Sequence, residues 1–260
     1  MHQAPPRRRN WFAAGALAAV ILATTACGGV ISATRQPSSD AVPGGSAGNA
    51  PGYAVKAADL LATLPVKGRA PKTGYDREEF GPAWSDTDHN GCDTRNDILA
   101  RDLTKTTFKP GTKNCIVLTG TLADPYTATT IAFTRGSKTS SAVQIDHVVA
   151  LSDAWQKGAQ RLSKAQRTAF ANDPLNLLAA SGPANQQKSD GDAATWLPGS
   201  RAYRCPYVAR QISVKAKYKL WVTQAERTAM ASVLAQCGGT VAGGTGGWRN
   251  GGWNQVTGTK

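Results

Sequence analysis

The sequence predicts an α+β domain in which a small β element is surrounded by helices. Three observations carry that expectation. Residues 116–122 and 127–134 are β-rich runs joined by Ala123-Asp124-Pro125-Tyr126, whose Asp-Pro step favours a turn, so they should form a hairpin. Residues 143–145 form a further short apolar strand that runs into Asp146-His147. The last third is helical, and Thr223-Gln224-Ala225-Glu226 is a capping box for its final helix.

The remaining elements follow from the same periodicities. Residues 57–64 read as a short helix with Leu60, Leu61 and Leu64 on a common face. Residues 94–103 give a second, with Ile98 and Leu99 as its apolar face. After Asp146-His147, residues 151–160 read as a helix, and Ser163 can cap another that runs to about Phe170. Residues 175–180 are a short apolar run, Gly182-Pro183 interrupts the chain, and residues 184–188 are helical. Two helices end the domain, one over 208–221 and one from Thr223 to near Cys237. Trp155, Trp196 and Trp221 lie in apolar surroundings and read as core.

Both ends are biased in composition. Arg7, Arg8 and Arg9 precede an apolar run over 11–23 that is short for a membrane span, followed by Thr24, Thr25, Ala26 and Cys27. This order fits an export signal over residues 1–26. The small residues before Cys27 resemble a lipoprotein signal, with Thr24 where Leu is usual. Ordinary signal cleavage and an uncleaved anchor are the other two readings. All three place the rest of the chain outside the cytoplasm, released or lipid-anchored, with membrane contact only through this segment or a lipid on Cys27. Residues 27–52 are rich in Gly, Ser, Pro and Ala and read as a flexible linker. Residues 238–260 form a Gly-rich tail that carries Trp248 and Trp253, which leaves 53–237 as the domain.

Four cysteines remain beyond Cys27, an even number suited to an oxidising compartment. Three pairings are open; neighbours, Cys92 with Cys115 and Cys205 with Cys237, are the expected ones. Zinc is disfavoured because no CxxC pair occurs and only His89 and His147 follow the signal. Without the three signal arginines the 30 basic residues become 27 against 17 acids, a net of +10. Such a surface favours polyanions: nucleic acid, anionic lipid headgroups or acidic wall polymers. No Gly-rich phosphate loop, serine nucleophile elbow or thiol-protease pattern is present.

Chemistry concentrates in three segments, Gln144-Ile145-Asp146-His147, Asn172-Asp173-Pro174-Leu175-Asn176, and Asn185-Gln186-Gln187-Lys188. An isolated Asp-His pair is more often structural than catalytic. The order and spacing of all three segments change that. Together they resemble the ββα-metal, or HNH, motif, and the chain from about Tyr75 is similar to exported bacterial HNH proteins related to the C-terminal domain of GmrSD-type restriction endonucleases. A helical insertion between Leu151 and Asn172 departs from the short loop of many such motifs. The resemblance implies a ββα-metal core and a low-selectivity endonuclease acting on nucleic acid, DNA first. It further implies His147 as general base, and Asp146 and Asn185 as ligands of one divalent cation, magnesium or manganese. Asn176 would brace the loop between the strands, and Lys188 would lie near the phosphates. Phosphodiester hydrolysis needs those parts: a base for the attacking water, and positive charge where the phosphate gains negative charge.

A second constellation lies upstream. Asp86, Asp88, Asn90 and Gly91 match the first half of an EF-hand loop, with Asp97 at its twelfth position, so calcium is a further candidate there. A polar turn is the plainer reading. Arg95 beside it suits a bidentate phosphate contact. The rival to the nuclease is a non-catalytic, disulfide-stapled binding module on the same scaffold, calcium-bound at this loop. The sequence does not fix an oligomeric state.

Overall fold

The computed structural model describes residues 52–237. The signal-like segment, Cys27, most of the linker and the Gly-rich tail with its two tryptophans lie outside the described residues. Within them the fold is mixed α+β, as expected. Helix α1 (Gly52–Thr63) is followed by a long irregular stretch with one 3-10 turn at Arg77–Phe80. Then come α2 (Thr94–Asp102), β1 (Leu103–Phe108), β2 (Val117–Ala123), β3 (Thr130–Thr134) and β4 (Val143–His147). Next are α3 (Leu151–Gln156), α4 (Lys164–Ala171), β5 (Leu177–Ser181) and α5 (Gly182–Lys188), and finally α6 (Arg201–Lys217) and α7 (Gln224–Ala235). Strands β1, β2 and β3 form an antiparallel meander, and β4 and β5 form a separate antiparallel pair.

Local chemistry explains most of these boundaries. Asp93 caps α2 by accepting from the Asn96 amide at 2.9 Å. Reciprocal capping boxes open α4 (Ser163 with Gln166) and α7 (Thr223 with Glu226). Strand β5 is buried along its whole length, which is why its sequence is a continuous apolar run rather than an alternation. Leu178 and Ala180 face the core made by α1, α6 and α7, while Leu177 and Ala179 face the core made by α2 and the meander. The β4–β5 ribbon is thus the partition between two hydrophobic cores.

Four elements depart from the sequence-based expectation. The helix after His147 stops at Gln156 rather than Gln160. Gly158 lies at φ +122°, against Trp221, whose ring would be 3.1 Å from an added Cβ, and a 3-10 turn follows. Gly182-Pro183 opens α5 instead of interrupting the chain, since proline fits the first turn where its missing N–H is no loss. An added Cβ at Gly182 would stand 2.0 Å from the Ser141 carbonyl oxygen, so only glycine lets α5 start against the entry to β4. Helix α6 begins at Arg201, seven residues before the expected 208, and contains Pro206. Strand β1 was not anticipated, although Leu103-Thr104-Lys105-Thr106-Thr107-Phe108 has the composition of a strand.

Both disulfides pair as expected. Cys92–Cys115 ties the approach to α2 to the start of β2, and Cys205–Cys237 ties α6 to the end of α7. The second closes a loop of 32 residues. Replacing Cys205 and Cys237 by serine is expected to cost about 3–4 kcal/mol of folding free energy by loop entropy. Urea unfolding with and without the pair measures this, and an unchanged midpoint would contradict it.

A buried charge cluster holds the helices together. The Lys157 ammonium lies 2.7 Å from Asp153, 2.7 Å from Asp192 and 2.6 Å from Glu226. Lys215 joins Asp153 and Glu226, and Arg69 joins Asp153 and Asp192. Three cations therefore meet three carboxylates between α3, α6, α7 and the loop after α5.

Candidate functional site

Asp146 and His147 end strand β4, opposite Leu178 and Leu177 of β5. Neighbouring strand residues face opposite sides, so their side chains diverge as required for separate tasks. On the Asp146 side lies α5. Its Lys188 ammonium sits 2.9 Å from Asp146 Oδ1 and donates to the His147 carbonyl oxygen at 2.9 Å. The other carboxylate oxygen accepts from the Tyr126 hydroxyl at 2.5 Å. Burial, followed by the nearby Asp146 charge, holds Tyr126 well above the usual phenol range, so it is a fixed donor. Gln144, two residues back on the same face, accepts from Asn185 Nδ2 at 2.8 Å.

His147 faces the end of α4. Its Nε2 is 2.8 Å from the Ala171 carbonyl oxygen, and its ring stacks on Trp84 at 5.9 Å between centroids, 15° from parallel. A carbonyl can only accept, so Nε2 carries the proton and Nδ1 keeps its lone pair. Burial pushes the imidazole pKa down to about 4, against the upward pull of the Ala171 carbonyl and Asp146. The ring is therefore neutral across the physiological range.

Asp146, His147 and Asn185 line one polar cavity of about 630 Å³, together with Arg77, Arg95 and Lys72. Arg77 and Arg95 form no ion pair among the described residues, whereas Lys72 stands 3.6 Å from Asp190. Arg95 also donates to the Val143 carbonyl oxygen at 3.3 Å. Burial, then Arg135, lowers its pKa.

Two of the expected site residues do not line this cavity. Asn176 is fully buried and does not line the cavity. Its Oδ1 accepts from the Val149 amide at 2.9 Å and its Nδ2 donates to the Val149 carbonyl at 3.3 Å, which pins the chain between β4 and α3. Lys188 is also buried and does not itself line this cavity; it stands behind Asp146, with its charge committed to that carboxylate. In the loop around residues 86–97, the Asp86 carboxylate accepts from the Asn90 and Gly91 amides, and Asn90 Nδ2 bridges Asp88 and Asp97. Among the described residues no group of three or more His, Cys, Asp or Glu is arranged to hold a metal ion.

Residues 93–233, more than half of the chain, match the family described as GmrSD restriction endonucleases, C-terminal domain. The chain belongs to this family. It is also 38% identical over 183 residues to an uncharacterized secreted protein of Arthroderma benhamiae, covering 70% of this chain and 84% of that one. No solved structure matches. The GmrSD C-terminal match contains β4, β5 and α5 whole, with Arg95, Asp146, His147, Asn176, Asn185 and Lys188.

Five cavity or supporting residues escaped the sequence reading: Lys72, Arg77, Trp84, Tyr126 and Gln144. Arg77 and Trp84 precede the GmrSD C-terminal match altogether. Tyr126 had only a turn to recommend it, and its partner lies 20 residues away. Gln144 alone carried a signal, since it stands two residues before Asp146 and therefore on the same strand face.

The donors present fit an oxygen-preferring cation. With Nδ2 committed to Gln144, Asn185 Oδ1 is left as its available donor, and each Asp146 oxygen keeps a lone pair beyond its single hydrogen bond. A cation here would have two protein oxygens, with water in its other positions, beside the Lys188 ammonium that already pairs with Asp146.

Proposed function

We propose that this protein is a metal-dependent, extracytoplasmic endonuclease that hydrolyses phosphodiester bonds with low sequence selectivity, on a ββα-metal core of β4, β5 and α5. The observation that carries the reading is His147: a neutral imidazole, its Nε2–H fixed on the Ala171 carbonyl, in a cavity shared with Asp146, Asn185, Arg77 and Arg95. Family membership supports a nuclease-like activity and nucleic acid as the partner, and the secreted relative supports a location outside the cytoplasm. The proposed chain organisation is an export signal over 1–26, a linker to 52, the nuclease-like domain and a Gly-rich tail from 238.

In this reading the substrate's phosphate enters the polar cavity, drawn by Arg77, Arg95 and Lys72. His147 Nδ1 takes a proton from the attacking water, and the Ala171 carbonyl steadies the imidazolium that results. Trp84 limits rotation of the ring. Held by Asp146 and Asn185, a divalent cation would supply positive charge for the phosphate oxygens and the leaving oxygen. Lys188 and Tyr126 fix the Asp146 carboxylate, Gln144 fixes the Asn185 amide, and Asn176 fixes the turn that carries the strand end into α3.

Incubation of the disulfide-intact protein with supercoiled plasmid and magnesium or manganese is expected to give nicked and linear products. EDTA should stop the reaction, and rising salt should slow it, because phosphate contacts dominate. Failure to cut plasmid, single-stranded DNA or RNA with either cation would overturn the nuclease and leave the binding module.

A further inference from the structure

Beside the polar cavity lies a smaller one of about 140 Å³, which the mechanism above does not use. Phe80, Pro82, Ala83 and Ala171 give it apolar walls, and Arg77, Trp84, Leu151 and His147 line both cavities. The two spaces therefore meet at the proposed base. A cavity of roughly 150 Å³ holds one benzene-sized ring, so there is room for a single flat aromatic group.

Asn172 closes one side of the cavity. It lines the small cavity, is 2% exposed, and donates from Nδ2 to the Thr168 carbonyl at 3.0 Å, while its Oδ1 has no hydrogen-bond partner. Exchanging the two amide ends would only sacrifice that bond. That oxygen has almost no accessible surface, so Asn172 closes the cavity as part of its wall and offers a base its shape rather than an acceptor.

We propose that this cavity is a nucleobase subsite, which takes one unstacked base of a strand whose adjoining phosphodiester lies at His147. The inference rests on the nuclease reading and adds its substrate class. A base within a duplex must leave its stack to enter, so single-stranded or locally unpaired nucleic acid is the preferred substrate. Arg77, common to both cavities, is available to the phosphate that links that base to the scissile bond.

The test gives the full-length protein short single strands of one sequence in which a single abasic residue is moved along the chain, and the same sequence as a duplex. A bond next to the abasic residue should be cut roughly ten- to hundredfold more slowly than the same bond next to a base, the range spanned by loss of one base–aromatic stack. The duplex should be cut more slowly than the single strand. Ala83→Phe fills the cavity from an exposed position, and should slow strand cutting similarly while erasing the abasic effect. Equal cutting at abasic and normal positions by the unaltered protein overturns the subsite and leaves the nuclease standing. If no strand is cut, fluorescence anisotropy of the same labelled strands decides. Affinity that drops with the abasic residue and with Ala83→Phe keeps the subsite and removes the nuclease, whereas affinity indifferent to both overturns the two together.

Discussion

Replacing His147 by alanine is expected to lower phosphodiester cleavage by about 10²–10⁴-fold, the usual contribution of a positioned general base. The protein should nevertheless stay folded. The imidazole is neutral in the native state, so its removal strands no charge; what it leaves behind is one unpaired carbonyl at Ala171 and one uncovered face of Trp84. Those losses amount to about 1–3 kcal/mol. Near-ultraviolet circular dichroism would show retained packing around Trp84, and added imidazole should restore part of the rate through the vacated space. A His147→Ala protein that cuts at the unaltered rate would remove the general-base assignment, whatever the other residues do.

The largest effect on stability is expected at Lys157. Its ammonium is completely buried and is shared by Asp153, Asp192 and Glu226. Lys157→Met keeps the volume and removes the charge, which leaves three buried carboxylates facing only Lys215 and Arg69. Breaking a buried ion cluster in this way costs about 3–5 kcal/mol. Acid should act on the same cluster. Burial pushes the Asp192 carboxyl up, but the hydrogen bond and charge of Lys157, with Arg69, outweigh it and hold the group at about 2; Asp153 is also depressed. Depressed carboxylates add stability above their unfolded pKa of about 4 and lose it as the pH falls through the folded value. Unaltered protein should therefore weaken steeply between about pH 4 and pH 2, and Lys157→Met should lose less over that window, having less to lose. Urea midpoints at several pH values test both statements, and parallel pH curves for the two proteins would contradict the assignment.

Much of the architecture was legible in the chain because its signals are local. Ser163 with Gln166 and Thr223 with Glu226 mark their helices within four residues, and the Asp124-Pro125 turn marks its hairpin. The same holds for the divergence of Asp146 and His147, which follows from adjacency on a strand. What escaped is non-local. Lys188, one turn beyond Asn185, is expected near the phosphates, and only the packing of α5 onto β4 shows that it is buried against Asp146. Trp84 sits in an irregular stretch with no periodicity, 63 residues before the histidine it covers. The charge cluster is harder still, since Asp153 and Asp192 look like ordinary solvent-facing acids, and Glu226 like a capping residue alone, until three helices converge on them. The start of α6 escaped for the opposite reason: Pro206 argues locally for a break, and burial of α6 against α1 and α7 overrides it.

The position of the β4–β5 ribbon between two hydrophobic cores has a consequence for inheritance of the chemistry. A slip of one residue in its pairing would turn Asp146 towards α4 and His147 towards Lys188, exchanging the partners of acid and base. The same slip would drive Val143 and Ile145 out of the core they share with Leu177 and Ala179, and turn Gln144 into it. Misalignment is therefore penalised on both faces at once. Any substitution that keeps the apolar pattern of the ribbon therefore keeps its register, and with it the separate addresses of the two reactive side chains.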